Sequence, residues 1–177
     1  MPDLAVVCNQ LKRLATQPEN PDARAIVEEA FNSKWEGVKV TAAKTFAAWG
    51  GRRSVELLKS WVYQCYLDEN FGLRIKAEKL LAQCIEDQDA DWVLDFYFDN
   101  QLFKDYRFAF WPILHKISFS VVRERLQTES QSEDRDKREA VMYFLIGLGQ
   151  KEVTGNILKE FNKDPDPTIR SFARAHF

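Results

Sequence analysis

The chain has 177 residues, of which 45% are hydrophobic and 29% are charged, a composition that excludes wholesale disorder and suits one globular domain. Its net charge of -2 and pI of about 5.8 disfavour a sequence-independent nucleic-acid binder, because such domains usually have a pI above about 9. The N-terminus has no basic leader, and Lys12 and Arg13 soon interrupt its apolar run. We therefore expect no signal peptide, no membrane span and a cytoplasmic protein.

The first segment of the chain predicts two helices. Apolar residues recur at helical spacing over residues 4–15, and Pro18 and Pro21 end that helix. A second run at the same spacing leads to Phe31. Neither helix carries the cation motif that marks the later segments. We therefore interpret residues 1–34 as N-terminal capping helices, which an array of stacked repeats requires at its end.

From residue 35 onward a short motif recurs, in which a cation is followed three residues later by Ala or Phe. Such a recurrence predicts an architecture of stacked repeats over residues 35–177. The simplest role for the cations is an ion pair with acidic residues of the neighbouring turns, such as Asp68, Asp99, Asp134 and Asp166. The motif cations are Lys39, Arg74, Arg107, Lys137 and Arg170, and they lie 35, 33, 30 and 33 positions apart.

Each repeat is expected to contain two helices joined by a break. In the first repeat a helix through Phe46 ends at Gly50-Gly51, and the second helix starts at Ser54. The polar turn of the second repeat is Glu86 to Asp89.

The later repeats contain three further sequence features. Pro112 predicts a kink in the third repeat. The polar run from Gln127 to Asp134 is expected to be an exposed inter-repeat loop. The fourth repeat carries a helix stop at Gly147–Gly149.

The residues that usually carry chemistry are few and scattered. Cys8, Cys65 and Cys84 are unpaired in spacing and are interpreted as small core residues. The two histidines, His115 and His176, stand 61 positions apart. There is also no glycine-rich phosphate loop and no Ser-His-Asp set. We therefore predict no catalytic residue, no metal site and no cofactor.

The stretch from Asp164 to Ala173, Asp-Pro-Asp-Pro-Thr-Ile-Arg-Ser-Phe-Ala, resembles a HEAT repeat of the short kind found in bacterial HEAT-like proteins. The resemblance covers about residues 35–177, although Phe replaces the usual Ala between Tyr106 and Phe110. It implies an all-α fold, namely an α-α superhelix of about five helical pairs. The superhelix would be right-handed, with second helices lining a concave face, and residues 1–177 would form one domain.

The resemblance also implies a function. HEAT proteins are mostly scaffolds and adaptors, so we predict a non-catalytic protein that binds a protein or peptide partner on the concave face. The alternative is an enzyme or enzyme subunit, similar to the alkyl-purine DNA glycosylases or bilin lyase subunits of the family. Glycosylases of this type use Trp, Asp and Arg in a concave cleft, and Trp61, Trp92, Asp95 and Arg123 supply those residue types. The iron-dependent branch uses His-Glu dipeptides, which this sequence lacks.

The predicted partner site lies on the sides of the second helices that face away from the core. In a stacked array only these helices converge on a groove that could hold an extended ligand. A competing interpretation makes the two tyrosines of this set packing residues at repeat junctions. The predicted site residues are Lys59, Tyr63, Asp95, Tyr97, Arg123 and Lys159.

Overall fold

The computed structural model describes residues 3–99, 110–148 and 151–175. Across these ranges the chain forms helices joined by short turns and contains no strand, which confirms the all-α prediction. None of the helices in the described part is long and apolar enough to cross a membrane.

The chain divides into two compact units, Met1–Ile85 and Glu86–Phe177. In the first unit the helices are α1 (Leu4–Leu14), α2 (Pro21–Phe31), α3 (Glu36–Trp49), α4 (Gly51–Leu67) and α5 (Phe71–Leu81). In the second they are α6 (Ala90–Asp99), α7 (Trp111–Leu114), α8 (Phe119–Ser130), α9 (Arg135–Leu148), α10 (Lys151–Glu160) and α11 (Pro167–Ala175). Single turns of 3₁₀ helix span Asp87–Asp89 and Phe161–Lys163.

The core of the first unit is built around α3. All four other helices of the unit pack against it. Phe46 in the middle of α3 is fully buried, and its ring meets Phe31 of α2 and Trp49 edge to face, with centroids 5.4 and 5.7 Å apart. The predicted core position of Phe46 is confirmed.

The second unit is organised in the same way around α9. Helices α6, α7, α8, α10 and α11 each contact α9. Phe144 of α9 is fully buried, and the ring of Tyr97 from α6 meets it edge to face at 4.9 Å. Each unit thus has a central helix that carries a fully buried phenylalanine.

The predicted break at Gly50 and Gly51 is confirmed. Their φ angles are 63° and 72°, in the left-handed region that residues with a side chain rarely adopt. Helix α3 ends at Trp49, and α4 begins at Gly51, three residues earlier than Ser54.

One feature of the later repeats differs from the sequence predictions, and another is left untested. Helix α9 is described as far as Leu148 and Gly149 lies outside the described residues, so the helix stop at Gly147–Gly149 stays a prediction. A Cβ at Gly147 would lie 2.5 Å from Cδ1 of Trp111, so close packing requires the glycine there. Pro112 lies in the first turn of α7, where it removes no helical hydrogen bond. The preceding stretch, 100–109, with Arg107 and its motif, lies outside the described residues, as do 149 and 150.

The run from Gln127 to Asp134 is not a loop throughout, contrary to prediction. Helix α8 continues to Ser130, and only residues 131–134 connect it to α9. Glu129 is buried because its carboxylate accepts a hydrogen bond from Arg125 Nε at 2.8 Å and lies 3.4 Å from Lys137 Nζ. A polar sequence was therefore mistaken for an exposed one.

Helices α2, α9 and α11 begin with the same arrangement, which we call the arginine clasp. The capping residues Asn20, Asp134 and Asp166 each accept a hydrogen bond from the amide two positions later. Four positions after each cap an arginine donates to the carbonyl six residues before it. These arginines are Arg24, bound to Pro18 O at 3.2 Å, Arg138, bound to Ser132 O at 2.9 Å, and Arg170, bound to Asp164 O.

The clasp corrects the predicted repeat motif in two places. The position in α9 that corresponds to Arg170 is Arg138, and the neighbouring Lys137 instead pairs with Glu129. Helix α2 carries the clasp at Arg24, although residues 1–34 were expected to lack the repeat cation. The sequence motif missed α2 because the residue three positions after Arg24 is Val27, whereas the motif asks for Ala or Phe there.

Candidate partner-binding surface

The six predicted site residues do not share one environment. Asp95, Arg123 and Lys159 are exposed in the second unit, and Tyr63 is 46% exposed in the first. Lys59 and Tyr97 are 5% and 1% exposed, so the expectation that they lie outside the core is wrong.

Tyr97 and Lys59 are buried for different reasons. Helix α6 packs against both α8 and α9, so its buried arc is wide enough to include Tyr97, whose ring lies 4.9 Å from Phe144. The competing interpretation, that Tyr97 is a packing residue, is the correct one. The methylene groups of Lys59 are buried along α4, and its ammonium lies 3.1 Å from Oε1 of Glu56.

In the second unit the structure pairs Asp95 with a residue that the sequence analysis did not select. The carboxylate of Asp95 lies 3.8 Å from Arg125, which also bonds Glu129. The residues proposed for a glycosylase-like cleft are also differently placed. Trp61 is 5% exposed and packs on Phe31, so it is a core residue.

The remaining tyrosine, Tyr63, belongs to a group of exposed apolar side chains around the turn between α4 and α5. Leu67 follows it on the same face of α4, one helical turn later, and is 45% exposed. Phe71, the first residue of α5, is 58% exposed. We call Tyr63, Leu67 and Phe71 the Tyr63 surface. The i, i+4 spacing could have revealed Leu67, whereas nothing in the sequence marks Phe71 as exposed.

The turn that carries this surface has a defined conformation. Glu69 adopts a left-handed φ of 51°, and the side chain of Asn70 accepts a hydrogen bond from Leu73 N at 3.1 Å to cap α5. Asp68 accepts a hydrogen bond from the Gln64 side chain at 2.8 Å. The two acidic residues beside the apolar group, Asp68 and Glu69, are both exposed.

A buried polar cluster supports the Tyr63 surface from the inside. The guanidinium of Arg74 lies 4.7 Å from the centroid of the Phe71 ring and 4.9 Å from that of Tyr66. The Tyr66 hydroxyl donates to Glu78, and Arg74 Nε lies 3.9 Å from the same carboxylate. Burial raises the pKa of Glu78 to about 7, against the opposing effects of Tyr66 and Arg74.

The thiol next to this cluster is buried as well. Burial raises the pKa of Cys65 to about 11, with the charge of Asp68 adding to the shift. A thiol with a raised pKa is a poor nucleophile, because the reactive species is the thiolate. Its interpretation as a core residue is confirmed by its 3% exposure. Among the described residues no group of three or more His, Cys, Asp or Glu side chains is placed to hold a metal ion.

Comparison of the chain with protein-family models, with curated proteins and with solved structures finds no match.

Proposed function

We propose that the chain is a non-catalytic cytoplasmic adaptor of the HEAT type, whose helical pairs stack into a right-handed superhelix and which binds a protein or peptide partner. The repeated helix start supports the repeat part of this proposal. Three helices share a polar cap, an arginine four positions later and a bond from that arginine back to the preceding turn. One structural unit used several times is what a repeat array is built from.

The observation that carries the binding function is the Tyr63 surface. Three large apolar side chains, each 45–58% exposed, lie at the end of α4 and the start of α5. Grouped exposed apolar residues commonly mark interaction sites, and aromatic residues are enriched among those that dominate binding energy.

Phe71 is held in place before any partner arrives. Its ring rests 4.7 Å from the guanidinium of Arg74, which is only 3% exposed. A side chain that is already ordered loses little conformational entropy on binding. The exposed Asp68 and Glu69 beside it complement a partner segment that combines a bulky apolar side chain with Lys or Arg.

The test uses the full chain as bait in an extract of its native host. Wild type is compared with the double variant Tyr63→Ala/Phe71→Ala and with the control Val121→Ala, a 48% exposed apolar residue of α8. A protein retained by wild type and by the control, and lost with the double variant, is then purified and titrated against all three. We expect the double variant to weaken its affinity by about thirtyfold or more, the effect of a binding hot spot.

Unfolding of each variant is measured alongside, because a loss of fold would imitate a loss of binding. If the folded double variant binds the purified partner as wild type does, the Tyr63 surface is not the site. Turnover of a substrate by the purified chain alone would contradict the adaptor function itself.

A further inference from the structure

A groove runs between α1 and α2 in the first unit. Both helices pack mainly against α3 and touch each other only lightly, so the space between them stays open. The resulting cavity has a volume of about 340 Å³. It is lined by side chains of α1, α2, α3 and the segment that precedes α3, among them Leu4, Leu11, Ile26, Glu29, Trp35 and Val38.

The groove is apolar both at its buried base and along its exposed edges. Leu11 and Val38 at its base are 1% and 4% exposed, whereas Leu4, Ile26 and Trp35 along its edges are 38–42% exposed. Three large apolar side chains are therefore left in contact with water around one groove, and grouped exposed apolar residues commonly mark interaction sites.

Among the described residues that line the groove only Glu29 is charged, and no described cation lies within ion-pair distance of its carboxylate. At one edge of the groove the ammonium of Lys34 lies 5.4 Å from the centroid of the Trp35 ring. Asp22 lies on the same stripe of α2, one turn before Ile26. A cation in the occupant would therefore meet an acid that has no partner within the described chain.

The dimensions of the groove match a helix. Its lining residues cover about two turns of α1, or about 10 Å, and little more than one turn of α2, or about 6 Å, which is room for one to two turns of a bound helix. A helix laid between α1 and α2 would contact both walls and complete a four-helix arrangement over α3. Amphipathic helices bind such grooves through apolar residues spaced one turn apart.

We propose that this groove binds an amphipathic helix of a partner protein, with an apolar stripe against Leu4, Ile26 and Trp35 and a Lys or Arg opposite Glu29. The site is separate in sequence and structure from the Tyr63 surface, and it does not depend on the function proposed above.

The experiment selects binders to the full chain from a displayed library of amphipathic helices. Apolar positions vary among Leu, Ile, Phe, Met and Trp, and polar positions among Lys, Arg, Glu, Asp and Gln. Recovered helices should be enriched in Lys and Arg. Their affinity should fall at least about tenfold with Ile26→Glu, and stay unchanged with Val6→Glu, a 62% exposed residue of α1 outside the lining.

Reversing the charge should reverse the preference. Selection against Glu29→Lys is expected to recover helices enriched in Asp and Glu, while Ile26→Leu should bind the original helices normally. Circular dichroism of each variant checks that the fold is retained.

Several outcomes would overturn the proposal. They are the absence of any binder, binders that tolerate Ile26→Glu in a folded chain, and binders without a charge preference. A dimer of the wild-type chain that Ile26→Glu dissociates would show that a second copy covers the groove instead. Binders lost with Tyr63→Ala and kept with Ile26→Glu would support the Tyr63 surface and refute this site.

Discussion

Arg74 in the first unit and Arg138 in the second stand in equivalent places, four residues after a helix cap, and both are buried. Their carboxylate partners are very different. Arg138 donates two hydrogen bonds to Asp164, at 2.8 and 3.2 Å, and two more to the carbonyls of Ser132 and Glu133. Arg74 lies 3.9 Å from Glu78, a residue of its own helix, and close to two aromatic rings.

The comparison shows that the sequence motif fixes the position of the guanidinium but does not determine which carboxylate it pairs with. At Arg138 the partner comes from the turn that precedes α11, so the ion pair joins two segments 26 residues apart. At Arg74 the carboxylate is local and desolvated, so it holds its proton up to near neutral pH. The first pair stabilises one conformation, whereas the second makes its unit sensitive to pH.

The largest effects are expected where the two units are alike. Phe46→Ala and Phe144→Ala should each lower the free energy of unfolding by about 3–5 kcal/mol, because both rings are fully buried and their removal leaves a cavity. Chemical denaturation measures both. A loss below about 1 kcal/mol at either site would mean that the central helix of that unit is misplaced.

Arg138→Ala should sharpen the contrast between the two arginines. It leaves Asp164, 6% exposed, without its charge partner, and we expect a loss of about 3–5 kcal/mol. Arg135→Ala is the matched control, since Arg135 is 42% exposed and its ion pairs with Glu139 and Asp166 are worth about 0–1 kcal/mol. Equal losses in urea denaturation would contradict the assigned difference in burial.

Glu78 should give the first unit a distinctive pH dependence. Its pKa is raised in the folded chain, so the folded state binds a proton that the unfolded state has released. The stabilisation is therefore complete below pH 4.5, the ordinary value for Glu, and is lost as the pH rises towards about 7. The loss is about 3–4 kcal/mol, because the pKa of Glu78 rises from 4.5 to about 7 and each pKa unit corresponds to about 1.36 kcal/mol.

Glu78→Gln should remove this slope and keep the bond to Tyr66. Glu36→Gln, at an exposed ion pair with Lys76, is the control and should leave the slope in place. The second unit provides a contrast, since backbone amides lower the pKa of Asp166 and its stabilisation is lost on acidification. Unfolding measured from pH 4 to pH 8 would refute the assignment if wild type and Glu78→Gln gave parallel curves.

The smallest predicted effect concerns Glu129, at the end of α8. Glu129→Ala should cost about 1–3 kcal/mol, because it leaves Arg125 and Lys137 without a shared acceptor. Glu133→Ala, an exposed position in the following turn, should be near neutral. Thermal unfolding measures both variants, and an equally small effect at the two positions would contradict the burial of Glu129.

Helical periodicity was sufficient to predict the fold class and the central residues Phe46 and Phe144. It could not predict the width of the buried arc on each helix, which depends on how many neighbours that helix has. Tyr97 was therefore expected at the surface, although α6 is enclosed by both α8 and α9. The error at Glu129 was the opposite one. Its polar sequence surroundings predicted an exposed side chain, but ion pairs with Arg125 and Lys137 allow it to be buried. Of the candidate surface, only Tyr63 was predicted.

The arginine clasp has a consequence for the order in which the chain folds. Each clasp joins residues only six apart, so the loop that it closes costs little entropy and can form together with its own helix. The pair between Arg138 and Asp164 must instead wait until α9 and α10 have both formed. Helix starts are therefore expected to be protected from hydrogen exchange early in refolding, and the contacts between successive helical pairs later.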